Sequence, residues 1–304
     1  MFALFKSAGP TGFGYGSTAE QVTQGLSLAG RTILVTGCNS GIGQEACRVL
    51  ALRGALVLGT ARTQQKAAAA CAAFPGQAIG YACKLSDPAS VRGCVAAVKA
   101  AGHRLDAIIC NAGIMMLPQL QKAHGYELQF FTNHIGHFTL VTGLLEQLTD
   151  EGRVVMLSSI GHTRAPASGI EFDSLSGDKG YQPLSAYGQS KLANLLFAKE
   201  LQRRFAGTQK TAYAVHSDAV STNLARNTGP VLSRVLGAIG VLFFKSVAEG
   251  AATEVFTAVH PKAVALAGGY LVDSNVQKPR TDAEDPALAA RLWAESERIA
   301  RALE

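Results

Sequence analysis

Thr36-Gly37-Cys38-Asn39-Ser40-Gly41-Ile42-Gly43 follows an apolar, β-branched run and precedes an amphipathic stretch. The segment and its flanks predict a strand over 31–36, a glycine-rich turn and a helix over 41–53. Three glycines permit a tight turn and a close backbone approach, so that the amino end of the helix can face a pyrophosphate. A glycine cluster alone also fits a purely structural turn. The strand-turn-helix setting favours a dinucleotide site.

Apolar strands alternate with helices along most of the chain. The predicted strands are 31–36, 55–60, 78–84, 105–110, 153–157, 211–215 and 269–272. The predicted helices are 41–53, one starting at Pro88 with Asp87 as cap, 127–148, 184–205, 247–259 and 286–303. This pattern predicts an α/β fold of the Rossmann type, a doubly wound sheet of seven parallel strands with helices on both faces, in a single domain. We expect 1–27 to be an N-terminal extension, 28–304 to be the domain and 222–244 to be a substrate-loop segment.

Composition and charge exclude several classes of protein. The 304 residues are 48% hydrophobic and 16% charged, which is too apolar for a disordered chain. The net charge of +6 is scattered, so nucleic acid is not an expected partner. Six cysteines without a C-x-x-C predict neither a zinc site nor a disulfide framework, and they favour a reducing, intracellular compartment. The longest apolar run, 235–244, is too short to span a bilayer, although peripheral membrane contact stays open.

Arg62 occupies the region where an NAD site places an acidic residue, at the end of the second predicted strand. A guanidinium there can pair with a 2′-phosphate, which favours NADP(H) over NAD(H). The alternative is a solvated arginine at the start of a helix.

Tyr187 and Lys191 lie four residues apart on a predicted helix, so both project from one face. A neighbouring ammonium favours the phenolate, and we expect it to bring the tyrosine into range for acid/base chemistry. Ser159 ends the fifth predicted strand, where its hydroxyl can bind a carbonyl oxygen or simply form part of a turn.

These motifs occur together in order. Thr36-Gly37-x-x-x-Gly41-x-Gly43, Asn111-Ala112-Gly113, Asn133, Ser159 and Tyr187-x-x-x-Lys191 resemble the classical short-chain dehydrogenase/reductase family over roughly 28–304. The segments E-L-Q-F-F-T-N-H-I-G-H-F and Y-G-Q-S-K-L-A-N are similar to its branch of retinol dehydrogenases and WW-domain oxidoreductases. Within that branch the likeness extends to plastid inner-envelope members, which implies a plastid location; otherwise the cytoplasm is expected.

The resemblance implies a role for each matching residue. Tyr187 is the general acid or base, Lys191 lowers its pKa and holds the nicotinamide ribose, Ser159 polarises the substrate oxygen, and Asn133 positions a proton-relaying water. The expected cofactor contacts are Gly37, Asn39, Ser40, Gly41, Ile42, Gly43, Arg62, Lys84, Leu85, Asn111, Ala112, Gly113, Tyr187, Lys191 and Thr222.

Two positions depart from the family pattern. Ser217-Asp218 stands where the family usually has Pro-Gly, which puts cofactor affinity or loop closure in doubt. Lys84-Leu85 stands where an Asp commonly precedes the Leu.

Two functions of different class follow. The first is an NADP(H)-dependent oxidoreductase acting on a small lipophilic carbonyl or alcohol, with 222–244 as an apolar cover or, alternatively, a helix packed on the body or on a second copy. The second is a dinucleotide-responsive component of a plastid-envelope membrane complex with little turnover. No metal is expected, because His134 and His137 fit packed, hydrogen-bonding imidazoles better than ligands. A lowered thiol pKa at Cys38 is an open redox hypothesis.

Overall fold

The parallel sheet can be followed strand by strand in the computed structural model, which describes residues 8–216 and 245–304. In these ranges the strands are β1 (Thr32–Thr36), β2 (Leu56–Ala61), β3 (Ala78–Ala82), β4 (Leu105–Cys110), β5 (Lys122–Ala123), β6 (Tyr126–Glu127), β7 (Leu148–Ser158), β8 (Thr211–His216), β9 (Tyr270–Val272) and β10 (Asn275–Gln277). The main sheet has the order β10-β9-β8-β7-β4-β1-β2-β3, and β5 pairs with β6 in a separate hairpin.

The predicted α/β class is confirmed, while the strand number needs a correction. All seven predicted strands are present and parallel to their neighbours, but β10 adds an eighth, antiparallel strand beside β9. The turn between them places Asp273 and Ser274 at φ angles of 53° and 62°. Turns with two such residues usually carry Asn-Gly, so Asp-Ser gave no clear hairpin signal.

Helices cover both faces of the sheet. In the described ranges the α-helices are α1 (Ala19–Val22), α2 (Gly41–Leu52), α3 (Gln64–Cys71), α4 (Pro88–Ala100), α5 (Leu128–Phe130), α6 (Gly136–Leu144), α7 (Pro183–Arg204), α8 (Val247–Gly250), α9 (Ala252–Val259) and α10 (Pro286–Ala302). Asp87 caps α4 through the Ser90 amide, as predicted. The predicted helix over 127–148 is wrong as one element, because a π-helical turn at Phe131–Ile135 separates α5 from α6 and β7 begins at Leu148.

Two apolar layers sandwich the sheet. One contains Phe138, Leu192 and Trp293, which belong to α6, α7 and α10. The other contains Leu50 and Phe256, which belong to α2 and α9. Because both faces are covered, strands such as β8 are buried at every residue, which explains their lack of polar alternation.

The start of the described chain packs on the same body. The backbone amide of Thr11 donates to Asn275 Oδ1 over 3.1 Å, and Ala19 and Val22 of α1 are buried. The predictions for Thr222, for the segment 222–244 and for Ser217-Asp218 fall outside the described residues. None of the helices in the described part of the chain is both long enough and apolar enough to cross a membrane.

Candidate active site

The glycine-rich turn lies at the carboxyl end of β1 and leads into α2. Ser40 occupies the N-cap position, but its side chain makes no capping hydrogen bond, and the first turn of α2 contains no acidic residue. A Cβ on Gly43 would lie 2.5 Å from the carbonyl oxygen of Gly37 and would also meet the Asn111 amide. The helix start therefore combines close packing with amide groups that no side chain caps, as an anion site requires.

Two cations lie at the ends of the neighbouring strands. Arg62 directly follows β2 and is exposed, and within 8–216 and 245–304 it forms no hydrogen bond or ion pair. Lys84 follows β3 and is also exposed, whereas Leu85 is buried beneath Gly136 of α6. The structure thus places Arg62 and Lys84 toward solvent and Leu85 in the core.

The Asn111-Ala112-Gly113 segment follows β4 and is tied to the end of β1. Asn111 Nδ2 donates to the Thr36 carbonyl over 2.8 Å, and the Ala112 amide donates to Thr36 Oγ1 over 2.9 Å. The Thr36 hydroxyl also lies 2.9 Å from His137 Nε2, while His137 Nδ1 lies 2.8 Å from the Asn133 carbonyl oxygen. This network fixes the glycine turn relative to the helix that carries Asn133.

Asn133 belongs to the π-helical turn and is fully buried. Its Oδ1 accepts from the Ile114 amide over 2.8 Å, and its Nδ2 donates to the Ile114 carbonyl and to Ser190 Oγ, each over 2.9 Å. Ser190 in turn donates to the Tyr187 carbonyl over 2.7 Å. Asn133 therefore connects the segment after β4 to the helix of Tyr187. Single π-helical turns often mark functional sites.

Ser159 and Tyr187 meet at the carboxyl end of β7. Ser159 is partly buried, its Oγ accepts from the Gly161 amide over 3.1 Å, and its hydroxyl lies near enough to the Tyr187 phenol to favour the phenolate. A Cβ on Gly161 would lie 2.9 Å from Tyr187 Cε1, so the absence of a side chain lets the phenol ring reach Ser159.

Lys191 lies one turn after Tyr187 on α7 and is almost completely buried. Its Nζ donates to the Leu157 carbonyl over 2.9 Å, and Asn194 Nδ2 donates to the same oxygen over 3.1 Å. The hydroxyl of Ser158 donates to the Lys191 carbonyl over 2.8 Å. These bonds lock the end of β7 against α7 and fix the ammonium 5.7 Å from the centre of the Tyr187 ring.

Burial determines the electrostatics of this pair. It lowers the pKa of Lys191 to about 8, partly opposed by the carboxyl of Glu254. Burial also raises the pKa of Tyr187, and the hydrogen bond with Ser159 opposes that rise. The predicted lowering of the tyrosine pKa is therefore not seen, because desolvation outweighs the hydrogen bond that favours the phenolate.

Several residues of the site were missed by sequence reasoning. Thr36, His137, Ser190 and Asn194 hold the predicted residues in place. Asn194 had a usable signal, because it lies seven residues after Tyr187 and three after Lys191, on the same helix face. The contact between Thr36 and His137 joins residues 101 positions apart, and no local pattern indicates it.

The structure also describes the surroundings of His134, His137 and Cys38. His134 and His137 are buried, and each has a hydrogen-bond partner, for His134 the hydroxyl of Ser296 at 2.8 Å. Cys38 is also buried. A hydrogen bond with Cys71, together with burial, raises the pKa of its thiol, so the expected lowering at the helix start is wrong. The hydrogen bond with Cys71 and the burial of the thiol outweigh the effect of the helix terminus.

The family model for short chain dehydrogenases matches residues 31–231. The chain therefore belongs to the short-chain dehydrogenase family. It is 39% identical to short-chain dehydrogenase TIC 32 B, chloroplastic, of Brassica napus, over 94% of this chain and 93% of that one. It is 38% identical to retinol dehydrogenase 12 of Mus musculus, over 89% and 86% of the two chains. The predicted likeness to the retinol-dehydrogenase branch is confirmed.

Solved structures agree with this assignment. A protein from Mycobacterium paratuberculosis superposes with a TM-score of 0.72 at 34% identity, covering 92% of this chain and 97% of that one. A short-chain dehydrogenase from Burkholderia cenocepacia J2315, solved in complex with NADP, gives a TM-score of 0.64 at 25% identity, covering 80% and 96%.

Proposed function

We propose that this oxidoreductase uses NADP(H) to interconvert a lipophilic carbonyl compound and its alcohol. The observation that carries the proposal is the contact between the Tyr187 phenol and the Ser159 hydroxyl, beside the Lys191 ammonium at the carboxyl edge of the sheet. A positioned phenol and a second hydroxyl suit proton transfer to a carbonyl oxygen.

The residues around the glycine turn fit a dinucleotide. The start of α2 has amide groups that no side chain caps, and the Gly43 contact leaves no room for a Cβ. These amides would bind the pyrophosphate, with Asn39 and Ser40 exposed beside it. Gly113 lies next to Asn133 and Lys191, since its Cβ would fall 3.1 Å from Asn133 Oδ1 and 3.7 Å from Lys191 Nζ. The cofactor would thus extend from α2 to Lys191.

Arg62 supports a preference for NADP(H). It lies at the end of β2, where the ribose next to the adenine is bound in this fold, and β2 contains no acidic residue to bind a 2′-hydroxyl. Its exposed guanidinium is available for a bidentate contact with a 2′-phosphate. The bound NADP of the Burkholderia relative is consistent with this proposal.

Residues of this chain would carry out the proton transfer. A bound nicotinamide dinucleotide supplies or accepts the hydride. In the reductive direction, the Tyr187 phenol donates its proton to the substrate oxygen, which Ser159 holds by a second hydrogen bond. The Lys191 ammonium stabilises the resulting phenolate. Asn133 would position a water near the Ile114 carbonyl through which Tyr187 regains a proton.

Exposed apolar side chains near the site support a lipophilic substrate. Ile160, next to Ser159, is 61% exposed, and Met116 and Leu184 are each 42% exposed. Leu184 precedes Tyr187 by three residues on α7, and Met116 follows the Gly113 turn. Solvent-exposed apolar residues grouped around polar chemistry are typical of a site for apolar ligands. The names of the retinol dehydrogenase relatives agree with such a substrate.

The experiment combines NADPH with a panel of aldehydes and ketones of increasing chain length, and it follows the loss of reduced nicotinamide. We expect turnover that rises with chain length and that the Tyr187→Phe substitution abolishes. Turnover by the variant at the parental rate would refute the assignment of Tyr187.

A plastid location is proposed from the 39% identity to the Brassica napus protein named as chloroplastic. The alternative function, a dinucleotide-responsive component of an envelope complex, shares this location but predicts binding of NADPH with little turnover. Steady turnover of a carbonyl compound therefore discriminates the two functions, and a fluorescent fusion of the whole chain tests the location.

A further inference from the structure

Two buried thiols from different elements meet over a glycine of the sheet. Cys38 belongs to the glycine turn after β1, and Cys71 is the last residue of α3. A Cβ on Gly59 of β2 would lie 2.7 Å from Cys71 Sγ and 3.0 Å from Cys38 Sγ. Both sulfur atoms therefore border the space that one side chain at residue 59 would occupy. A glycine inside a strand often marks a close approach of this kind.

The helix α3 is held directly on the sheet at this point. A Cβ on Gly80 of β3 would lie 2.5 Å from the backbone of Ala67, so the helix backbone packs on the strand backbone. Ala67 and Cys71 are the buried residues of α3, and its other side chains are half-buried or exposed. A short helix that buries so little apolar surface opens locally at low cost, and such opening admits small reagents to the thiols.

The hydrogen bond between the two thiols makes them chemically unequal. It lowers the pKa of the Cys71 thiol, and together with burial it raises the pKa of the Cys38 thiol. The thiolate is the reactive form of cysteine. We therefore expect Cys71 to react first with an oxidant, with the Cys38 sulfur beside it.

We propose that Cys38 and Cys71 are a redox-active pair that closes to a disulfide in the presence of a hydroperoxide and thereby weakens dinucleotide binding. The effect on binding rests on the proposed function of the glycine turn. The Cys71 thiolate attacks the peroxide, the O–O bond breaks, and a sulfenic acid and hydroxide form. The Cys38 thiolate then attacks the Cys71 sulfur, forming the S–S bond and displacing a second hydroxide. The two thiol protons convert both hydroxides to water, so two thiols are oxidised while one peroxide is reduced.

The disulfide would deform the glycine turn. An S–S bond is about 2.0 Å long, so the two sulfur atoms must move toward each other when it forms. The amides of Gly37 and Cys38 both donate to the Thr60 carbonyl, over 2.9 and 3.0 Å. A shift of Cys38 toward α3 disturbs these bonds, which hold the turn against the end of β2. The amino end of α2 then loses the geometry proposed for binding a pyrophosphate.

The first test identifies the bond itself. The protein is treated with hydrogen peroxide, the remaining free thiols are alkylated, and its unreduced peptides are analysed by mass spectrometry. We expect a linked pair of peptides that contain Cys38 and Cys71 and that dithiothreitol separates. The control variant Cys47→Ala, which removes another buried thiol, should still give this pair. Absence of the Cys38–Cys71 pair from the oxidised parent overturns the proposal.

The second test measures NADPH affinity by calorimetry after the peroxide has been removed. We expect oxidation to raise the Kd at least about tenfold in the parent and in Cys47→Ala, and dithiothreitol to reverse the change. Cys71→Ala places one more alanine in an alanine-rich helix, and its Kd should not respond to oxidation. A mapped disulfide with an unchanged Kd refutes the regulation. If the reduced parent does not bind NADPH, the proposed function fails, whereas the peptide map still decides whether the thiols pair.

Discussion

The two halves of the sheet present their functional groups in opposite ways. Around β1, β2 and β3 the groups face outward, because Ser40 leaves the start of α2 uncapped and Arg62 is exposed without a partner in the described ranges. Around β4 and β7 the groups are buried and bonded, with Asn133 tied to Ile114 and Lys191 tied to Leu157. The first half keeps its donors available for a ligand, whereas the second uses them to fix the geometry of an acid. We therefore expect substitutions in the first half to change binding and substitutions in the second to change chemistry.

We expect the largest loss of activity when the proposed general acid in the buried half, Tyr187, is removed. Tyr187→Phe should lower kcat about 10²- to 10⁴-fold, since a positioned general acid contributes that much, and it should leave the Kd for NADPH within about twofold. Steady-state kinetics and calorimetry measure the two quantities. Tyr213→Phe removes a buried phenol that donates to Ala263 and is the control, with kcat expected near the parental value. An equal loss of kcat in Tyr187→Phe and Tyr213→Phe would contradict the assignment of the chemistry to Tyr187.

A substitution in the glycine turn should change both the affinity for NADPH and the stability of the fold. A methyl group on Gly43 would collide with the Gly37 carbonyl and the Asn111 amide, so Gly43→Ala should weaken NADPH binding at least tenfold and destabilise the fold by about 1–3 kcal/mol. Calorimetry and urea unfolding measure both. The control is Gly93→Ala in α4, where nothing lies within 4 Å of the added Cβ. That change should raise the free energy of unfolding by up to about 1 kcal/mol. Unchanged NADPH affinity in Gly43→Ala would contradict the assignment of NADPH binding to the glycine turn.

Arg62→Gln should weaken the binding of NADPH but not that of NADH. Loss of the proposed charge-assisted, bidentate contact should raise the Kd for NADPH roughly 10- to 100-fold and leave the Kd for NADH unchanged. Titration calorimetry with both cofactors provides the comparison. Arg31→Gln is the control for net charge, because Arg31 is an exposed cation paired with Asp106. Equal weakening of NADH and NADPH binding would contradict recognition of a 2′-phosphate.

The smallest effect concerns the apolar border of the site. Ile160→Asn should lower kcat/KM roughly three- to tenfold for long-chain aldehydes and change it little for short ones, since less apolar surface is buried with the substrate. Val264→Asn is the control, because Val264 is 53% exposed and lies on the 3₁₀ segment after α9. A loss that is independent of chain length would argue against contact between Ile160 and the substrate.

The sequence predicted most of the strands closely because they are apolar runs bounded by clear turns, whereas β7 begins at Leu148 and not at Arg153. β4 matches its predicted range at both ends, and β1 and β8 differ by one residue. The π-helical turn was missed because its apolar spacing resembles that of an ordinary helix. The helix α3 was missed because its alanines form no apolar stripe, although Thr63 caps it.

The sequence predicted the site residues that lie close together along the chain. It did not predict the hydrogen bonds between residues that are far apart in sequence. Tyr187 and Lys191 share a helix face, so spacing alone brings them together. Thr36 and His137 lie 101 positions apart, and only the packed fold brings the hydroxyl and the imidazole together.

The most direct test of the division between the two halves is the rate of a single turnover at saturating NADPH. The protein is mixed with excess NADPH and a long-chain aldehyde, and the loss of reduced nicotinamide is followed for Arg62→Gln and Tyr187→Phe. We predict a rate within about twofold of the parent for Arg62→Gln, because saturation overcomes weakened binding, and a rate at least about 100-fold lower for Tyr187→Phe. Equal rates in the two variants would contradict the account.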